Sequence, residues 1–253
     1  MSTKQYFKQS DYATLWSKAV RTRDSLAEVA KKYLAIINAL PGNCLLDIGV
    51  GDGRFIMPCV ETGLKTYVGL DVSKETLLNA KNNRLSKEYE SVIFLVQGDA
   101  EHLPFREEMF DRVICVATSW YLPNLQSFIS EISRVSKSQS TFFGDFMNFS
   151  NGSIHSQRTL RIIMNSFLRN IRRFQGIRPL VLYTGELLDR LYEERRYGYD
   201  KGWLISYFTW GVTPFHPASF SDIISLFPLY GMKIKKLVGD KNAPLVYIEA
   251  SKL

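Results

Sequence analysis

Residues 45–55 read LLDIGVGDGRF, an apolar run containing an Asp and followed by three glycines at alternate positions. A strand interior disfavours glycine, because glycine has no side chain to pack and loses much conformational entropy on ordering. The stretch therefore predicts a strand that ends in a tight turn into a helix, where the glycines would let a ligand approach the main chain. A Gly-rich turn with a purely structural role is the alternative.

Beyond this turn, apolar runs rich in Val, Ile and Leu alternate with amphipathic stretches. Strands are predicted at 43–49, 66–72, 92–100, 110–118, 140–147, 232–239 and 245–251. Helices are predicted at 53–63, 74–88, 125–137 and 218–227. The alternation is typical of βαβ units in a parallel sheet with helices on both faces. The short turn between the last two strands predicts that they pair antiparallel.

Two segments depart from this alternation. Residues 11–40 have helical spacing that stops at Pro41-Gly42, and residues 154–196 hold helical patterns that lead into an aromatic, turn-rich stretch. We predict one α/β domain over 1–253, built on a Rossmann-like, seven-stranded, mostly parallel sheet with an antiparallel last strand. Its predicted parts are an N-terminal helical segment (1–40), a cofactor-binding core (41–147 and 214–253) and a helical, aromatic cap inserted at 148–213.

The composition is that of a globular protein, with 45% hydrophobic residues and a net charge of +7 over 253 residues. No apolar run reaches the ~18 residues of a membrane span, and the polar start lacks a secretory pattern, so a cytoplasmic location is expected. The last three residues, 251–253, match a peroxisomal address, but they directly follow a predicted strand and carry little weight. Cys44, Cys59 and Cys115 are too scattered for a disulfide framework or a metal site, and no metal is expected.

Acidic residues stand at the ends of the second and third predicted strands. Asp71 lies 20 residues after Gly51, where nucleotide-binding folds place a carboxylate that accepts hydrogen bonds from the ribose hydroxyls. Asp99 could accept from the exocyclic amine of adenine. The dinucleotide pattern G-x-G-x-x-G would need a glycine at Arg54, and two carboxylates would repel a phosphate-rich ligand. The pattern therefore favours a cofactor that has a cationic centre and no phosphate.

Together these stretches resemble the class I S-adenosylmethionine-dependent methyltransferases, in particular the branch with small-molecule acceptors. LLDIGVGDGRF is similar to that family's first motif, VGLDVS (68–73) to its second, and GDAEHLPFREEMFDRVICVATSWYLPN (98–124) to its third and fourth. EISRVSKSQSTFFGDF (131–146) resembles the following helix and fifth strand, with Ser-Lys-Ser-Gln in place of the usual Leu-Lys-Pro-Gly turn. The resemblance covers 41–147 well and 214–250 more loosely.

The resemblance implies S-adenosyl-L-methionine as cofactor and a set of contacting residues. Those that match the family's contacts are Asp47, Gly49, Val50, Gly51, Asp71, Val72, Asp99, Ala100, Ala117, Thr118 and Ser119. Asp47 would orient the glycine turn near the methionine amino group, Asp71 would bind the ribose, and Asp99 the adenine edge. The 117–119 segment would lie next to the methionine portion, although strand-end packing is an equal alternative for its first two residues.

Methyl transfer requires in-line alignment of the acceptor and, for an oxygen acceptor, removal of a proton. The family needs no dedicated base motif, and the sequence contains none. Asp145, at the end of the fifth predicted strand, and His216, in TPFHP, are candidate catalytic residues. Tyr121 could meet the acceptor, but its ordinary pKa of about 10 makes it a poor base, and packing is the alternative.

The predicted cap carries an unusual charge pattern, because residues 154–178 hold six Arg and no Asp, Glu or Lys. A solvated face is the usual reason for such a run, and an anion site is the alternative, since Arg binds phosphate or carboxylate bidentately. We expect a small-molecule acceptor, a natural product or sugar derivative that is methylated on oxygen or nitrogen, and an anionic acceptor would fit this run. A tRNA or protein methyltransferase is the competing interpretation, although no nucleic-acid-binding module is recognisable. A cofactor-binding protein without transfer activity is a third.

Overall fold

The computed structural model describes residues 40–84, 87–148, 218–241, 243 and 245–253. Most of the predicted N-terminal segment and of the cap insertion, including its Arg-rich run, therefore lies outside the described residues, and so does His216 of the predicted core. The domain boundaries given above stay a prediction.

Seven strands form one sheet with the spatial order β3-β2-β1-β4-β5-β7-β6. In chain order the strands are β1 (Cys44–Ile48), β2 (Thr66–Asp71), β3 (Ile93–Gln97), β4 (Phe110–Cys115), β5 (Ser136–Met147), β6 (Met232–Val238) and β7 (Leu245–Lys252). The first five strands pair in parallel, and β7 pairs antiparallel with both β5 and β6. The predicted mostly parallel sheet with an antiparallel last strand is confirmed.

Four helices accompany the sheet in the described part of the chain: α1 (Ile56–Val60), α2 (Lys74–Arg84), α3 (Leu125–Val135) and α4 (Phe220–Leu229). Successive side chains of β1 point to opposite faces of the sheet, as the two-residue period of a strand requires. Leu46 joins an aromatic core that includes Phe142 and Phe227. Leu45 joins the core on the other face, with Phe55 and Tyr67. Both faces are therefore buried, which explains the nearly continuous apolar runs of the parallel strands.

The fifth strand begins at Ser136, four residues before its predicted start at 140. Phe110 of β4 pairs with Ser136, but Arg112 pairs with Thr141, so extra residues loop out of β5 as a bulge. Gln139 lies in this bulge with a φ of 59°, a left-handed conformation that costs a non-glycine residue energy. The turn predicted at 136–139 is thus built into the strand.

The chain on the two sides of the undescribed segment 149–217 meets at Asn148 and Ala218. Asn148 and Ala218 form an isolated parallel bridge. The side-chain amide of Asn148 also donates to the main-chain oxygens of Asp240, Lys241 and Ala243, at 3.0 to 3.4 Å. The chain therefore leaves and rejoins the described fold at one point, beyond the carboxyl end of β5. No helix in the described ranges is long and apolar enough to cross a membrane.

Candidate functional site

A cavity opens at the carboxyl ends of β1 to β4, where open α/β sheets bind their ligands. It holds about 840 Å³ of empty space, its open mouth included. Ten of the residues predicted to form the site line it: Gly49, Val50, Gly51, Asp71, Val72, Asp99, Ala100, Ala117, Thr118 and Tyr121. The fold thus brings together residues that lie far apart in the sequence.

The glycine turn follows β1 and crosses the cavity floor. Gly49 and Gly51 have φ angles of 75° and 58°, which only glycine adopts readily. The main-chain N–H of Gly49 donates to the Leu70 oxygen at 2.7 Å, which ties the turn to β2. A Cβ added at Gly49 would lie 2.1 Å from Oγ1 of Thr118. Gly49 is therefore required both for its conformation and for the close approach of the segment after β4.

Asp71, at the end of β2, stabilises the same turn by hydrogen bonds. Its carboxylate accepts from the main-chain N–H of Gly51 at 3.1 Å and from that of Ser73 at 2.9 Å. Burial raises the pKa of Asp71 to about 6, against the lowering effect of these bonds. At neutral pH the group is an ionised acceptor at the cavity wall, as a ribose-binding role requires.

Asp99 lies two residues after the end of β3, the strand next to β2. It accepts from the main-chain N–H of Glu101 at 3.0 Å, and the exposed ring of His102 lies 3.5 Å from its other oxygen. Ala100 beside it is buried. Both residues line the cavity, so a flat ring placed there would meet an acceptor at its edge.

Asp47 does not line the cavity. It is 2% exposed, lies below the glycine turn and accepts a short hydrogen bond from the hydroxyl of Tyr67. Burial raises the pKa of Asp47 to about 6, and the Tyr67 bond opposes that shift. Its position suits the predicted orientation of the turn, through a partner on β2 that no local sequence pattern indicates.

The segment after β4 forms the remaining wall. Ala117 has a φ of 59°, and its N–H donates to Oδ1 of Asp145 at 2.8 Å. Asp145 itself is 2% exposed and is not among the cavity-lining residues. Burial raises the pKa of Asp145 to about 6. The predicted catalytic carboxylate thus lies behind the wall.

A second, smaller pocket adjoins the first at Leu122 and Pro123. Its described lining residues are mostly hydrophobic, but polar atoms supply almost half of its exposed surface: Ser119, Trp120, Leu122, Pro123, Leu125, Phe146, Met147, Ala218 and Ile223. Ser119 therefore lies here and not in the first cavity. Its hydroxyl donates to the main-chain oxygen of Asp145 at 2.5 Å.

Several lining residues were not predicted, among them Asp52, Arg54 and Thr76. The guanidinium of Arg54 reaches the main-chain oxygen of Val116 at 3.5 Å and lies 5.1 Å from the centre of the Phe55 ring. The available signal was its place directly after Gly53, where it counted only as a departure from the dinucleotide pattern. Arg54 bridges the glycine turn and the segment after β4.

The lining fits S-adenosylmethionine by its charges. Among the described residues that line the cavity, Asp52, Asp71 and Asp99 are acidic and Arg54 is the one Lys or Arg. This balance favours a ligand with cationic centres and disfavours a phosphate-rich one, because like charges at short range repel. The described residues contain no cluster of three or more metal-ligating side chains.

The comparisons with known proteins agree with this geometry. Residues 46–144 match the family model described as "Methyltransferase domain". The demethylmenaquinone methyltransferase of Desulfitobacterium hafniense is 35% identical over 109 residues, which are 42% of this chain and 43% of that protein. The phthiotriol/phenolphthiotriol dimycocerosates methyltransferase of Mycobacterium tuberculosis is 34% identical over 98 residues, 38% of this chain and 34% of that protein. The matches thus span less than half of these curated relatives.

Solved structures share the fold at low identity. Magnesium protoporphyrin IX methyltransferase from Synechocystis, with bound SAM, superposes with a TM-score of 0.58 at 13% identity and covers 100% of this chain and 98% of its own. A chain of the complex between the Haloferax volcanii Trm112 methyltransferase activator and a methyltransferase gives a TM-score of 0.62 at 15% identity, with coverages of 96% and 95%. Residues 46–144 therefore match a methyltransferase domain, and the sheet and glycine turn around them have the fold of the S-adenosylmethionine-dependent methyltransferases.

Proposed function

We propose that this protein binds S-adenosylmethionine in the first cavity and transfers its methyl group to an oxygen or nitrogen of a small, largely apolar acceptor. The observation that carries the proposal is the convergence of Asp71, the glycine turn and the 117–118 segment on one cavity. When bound, the cofactor supplies a methyl group on a positively charged sulfur, which a nucleophile displaces in line while the electron pair of the broken carbon–sulfur bond stays on sulfur.

The chain's own contribution is placement. Asp71 and Asp99, after the neighbouring strands β2 and β3, would hold the ribose and the adenine edge, and the glycine turn would lie under the methionine portion. Tyr121, on the 3₁₀ turn Ser119–Tyr121, lines the cavity with its ring centre 5.9 Å from that of Trp120. We propose that Tyr121 packs against the acceptor. His216, outside the described residues, remains a candidate base.

The apolar character of the acceptor is supported by the second pocket, whose described lining includes Trp120, Phe146 and Ile223. Several curated relatives are named for acceptors with large hydrocarbon portions, among them demethylmenaquinone, sterols and fatty acids. Hydrophobic side chains next to the methyl donor would place such a molecule by burial of its hydrocarbon surface. The bridge between Asn148 and Ala218 lies beside this pocket, which supports the predicted cap as an insertion at the acceptor side.

Two measurements test the proposal. Calorimetry on the full chain should show binding of S-adenosylmethionine. Incubation with methyl-labelled cofactor and a panel of quinols, sterols, hydroxylated fatty acids, bulk tRNA and unrelated proteins should then label an apolar small molecule. Label in tRNA, with binding that falls steeply as salt is added, would replace the small acceptor by nucleic acid. Binding without transfer to any member of a broad panel would favour a cofactor-binding protein.

A further inference from the structure

We propose that Asp145 is a positioning residue that holds the 116–119 segment in the shape needed to close the cofactor cavity, and that it is not a general base. The inference rests on the proposed function, since the segment matters for activity only if the cavity binds the methyl donor. It changes the role that the sequence suggested for this carboxylate.

Asp145 holds the segment at two points. Its Oδ1 accepts from the N–H of Ala117 at 2.8 Å, and its main-chain oxygen accepts from the hydroxyl of Ser119 at 2.5 Å. The residue belongs to β5, in register between β4 and β7, with Gly144 opposite Cys115 and Asp145 opposite Tyr247. Since β4 and β7 hold β5 on both sides within the sheet, the carboxylate is a fixed acceptor.

The segment needs such an acceptor, because Ala117 has a φ of 59°. A left-handed conformation is costly for a residue with a Cβ, and it persists only where the surroundings impose it. The hydrogen bond to Asp145 supplies this constraint at the residue that requires it. Without the bond, Ala117 would relax toward negative φ and the segment would turn away from its present path.

The path of the segment sets the cavity wall. Thr118 lies so close to the glycine turn that its Oγ1 is 2.1 Å from where a Gly49 Cβ would be. Arg54 reaches Val116 on the other side of Ala117, at 3.5 Å. Ala117 and Thr118 both line the cavity. A shift at Ala117 would therefore move two lining residues and press on the glycine turn.

The same contacts argue against a proton-transfer role. A general base must come within hydrogen-bonding distance of the acceptor's proton. Asp145 is 2% exposed, does not line the described cavity, and has Oδ1 occupied by a main-chain N–H. Its burial instead suits a group that acts through Ala117.

Asp145→Asn and Asp145→Ala separate the two roles. The Asn oxygen can still accept from the Ala117 N–H, but the amide cannot take a proton at neutral pH. For Asp145→Asn we expect a kcat and a Kd for S-adenosylmethionine within about 3-fold of wild type, and a slow exchange of the Ala117 amide hydrogen. For Asp145→Ala we expect a Kd raised about 10-fold, which corresponds to one hydrogen bond to a charged group, with a lower kcat and a fast Ala117 exchange.

A 100-fold loss of kcat in Asp145→Asn with unchanged Kd and slow Ala117 exchange would overturn the proposal in favour of a base. An Asp145→Ala protein with wild-type Kd and Ala117 exchange would also overturn it. If Asp145→Ala does not fold, Asp145→Asn decides: fast Ala117 exchange with full activity would refute the positioning role. The exchange measurement needs no cofactor, so it stays informative if wild type fails to bind S-adenosylmethionine, which would refute the proposed function alone.

Discussion

The two sides of the cavity are built by different means. At the ends of β2 and β3, carboxylates accept from N–H groups two residues ahead, Asp71 from Ser73 and Asp99 from Glu101. At the segment after β4, the organising carboxylate is Asp145, and its partner Ala117 lies 28 residues away in the chain. The first side is a set of local turns, and the second depends on the register of two strands. Local turn geometry can be predicted from neighbouring residues in the sequence. Strand register cannot, because it depends on which strands pair in the sheet.

The largest effect is expected on the locally built side. Asp71→Ala removes the acceptor of two main-chain N–H groups and the proposed ribose ligand. Hydrogen bonds to charged groups contribute about 1.5 to 3 kcal/mol each, so the Kd for S-adenosylmethionine should rise about 100-fold or more. Isothermal calorimetry at pH 7.5 measures this directly.

Asp111→Ala is the matched control for that prediction. Asp111 also accepts from a main-chain N–H, that of Cys44, and pairs with Lys137 at 2.9 Å, but it lies at the amino ends of the strands. Its loss should leave the Kd within about 2-fold, since no ligand contact is removed. Equal losses of affinity in the two variants would mean that Asp71 acts through general stability and not as a ligand.

Gly49 lies where the two sides meet, and Gly49→Ala should destabilise the fold by about 3 kcal/mol. The new Cβ would collide with Thr118 and would be held at a φ of 75°. Gly42→Ala is the control, because Gly42 has a φ of 80° with nothing within 4 Å of its added Cβ. Gly42→Ala should lower the free energy of unfolding only by the penalty for a Cβ at positive φ, about 1 kcal/mol. If urea unfolding gave equal decreases in the free energy of unfolding for the two variants, Thr118 would have to move aside freely.

These differences explain what could be predicted. The glycine turn, Asp71 and Asp99 follow apolar runs directly, so their places at or near strand ends were readable, and the mostly parallel sheet with an antiparallel last strand was predicted as well. Ala117 lines the cavity, but its left-handed backbone has no signal in a residue type that rarely adopts it. The contacts of Asp145 and Tyr67 depend on which strands are neighbours, and no local pattern carries that information.

The hydrogen bond between Tyr67 and Asp47, next to the glycine turn, gives a pH-dependent prediction. Tyr67→Phe removes the hydroxyl that stabilises ionised Asp47, whose pKa is already raised to about 6 by burial. The carboxyl group is ionised above that pH, so Tyr67→Phe should lower the free energy of unfolding by about 2 kcal/mol at pH 8. Below about pH 5 the carboxyl of Asp47 is protonated in the folded protein. The decrease in unfolding free energy caused by Tyr67→Phe should therefore be smaller there.

The sign follows from linkage, because a buried carboxyl with a raised pKa makes the folded state less stable as pH rises through the range between its unfolded and folded values. Tyr67→Phe raises that pKa further, so its unfolding free energy should fall over a wider range than in wild type. In the Asp47→Asn background the effect of Tyr67→Phe should be independent of pH. Chemical unfolding at pH 5 and pH 8 tests all four proteins, and a constant effect in the wild-type background would contradict the role of the pair.

The smallest expected effect concerns the strain on the long-range side. Ala117→Gly should raise the unfolding free energy by about 0.5 kcal/mol, because glycine adopts positive φ without the penalty but gains entropy in the unfolded chain. Gln139→Gly is the matched control, with the same φ of 59° in the exposed bulge of β5. Both variants should gain similar stability, but only Ala117→Gly should weaken S-adenosylmethionine binding, by about 2-fold to 3-fold, because its segment gains freedom next to the cavity. A loss of stability at Ala117 alone would mean that its methyl group, half-buried against the Leu45 core, contributes more than its backbone costs.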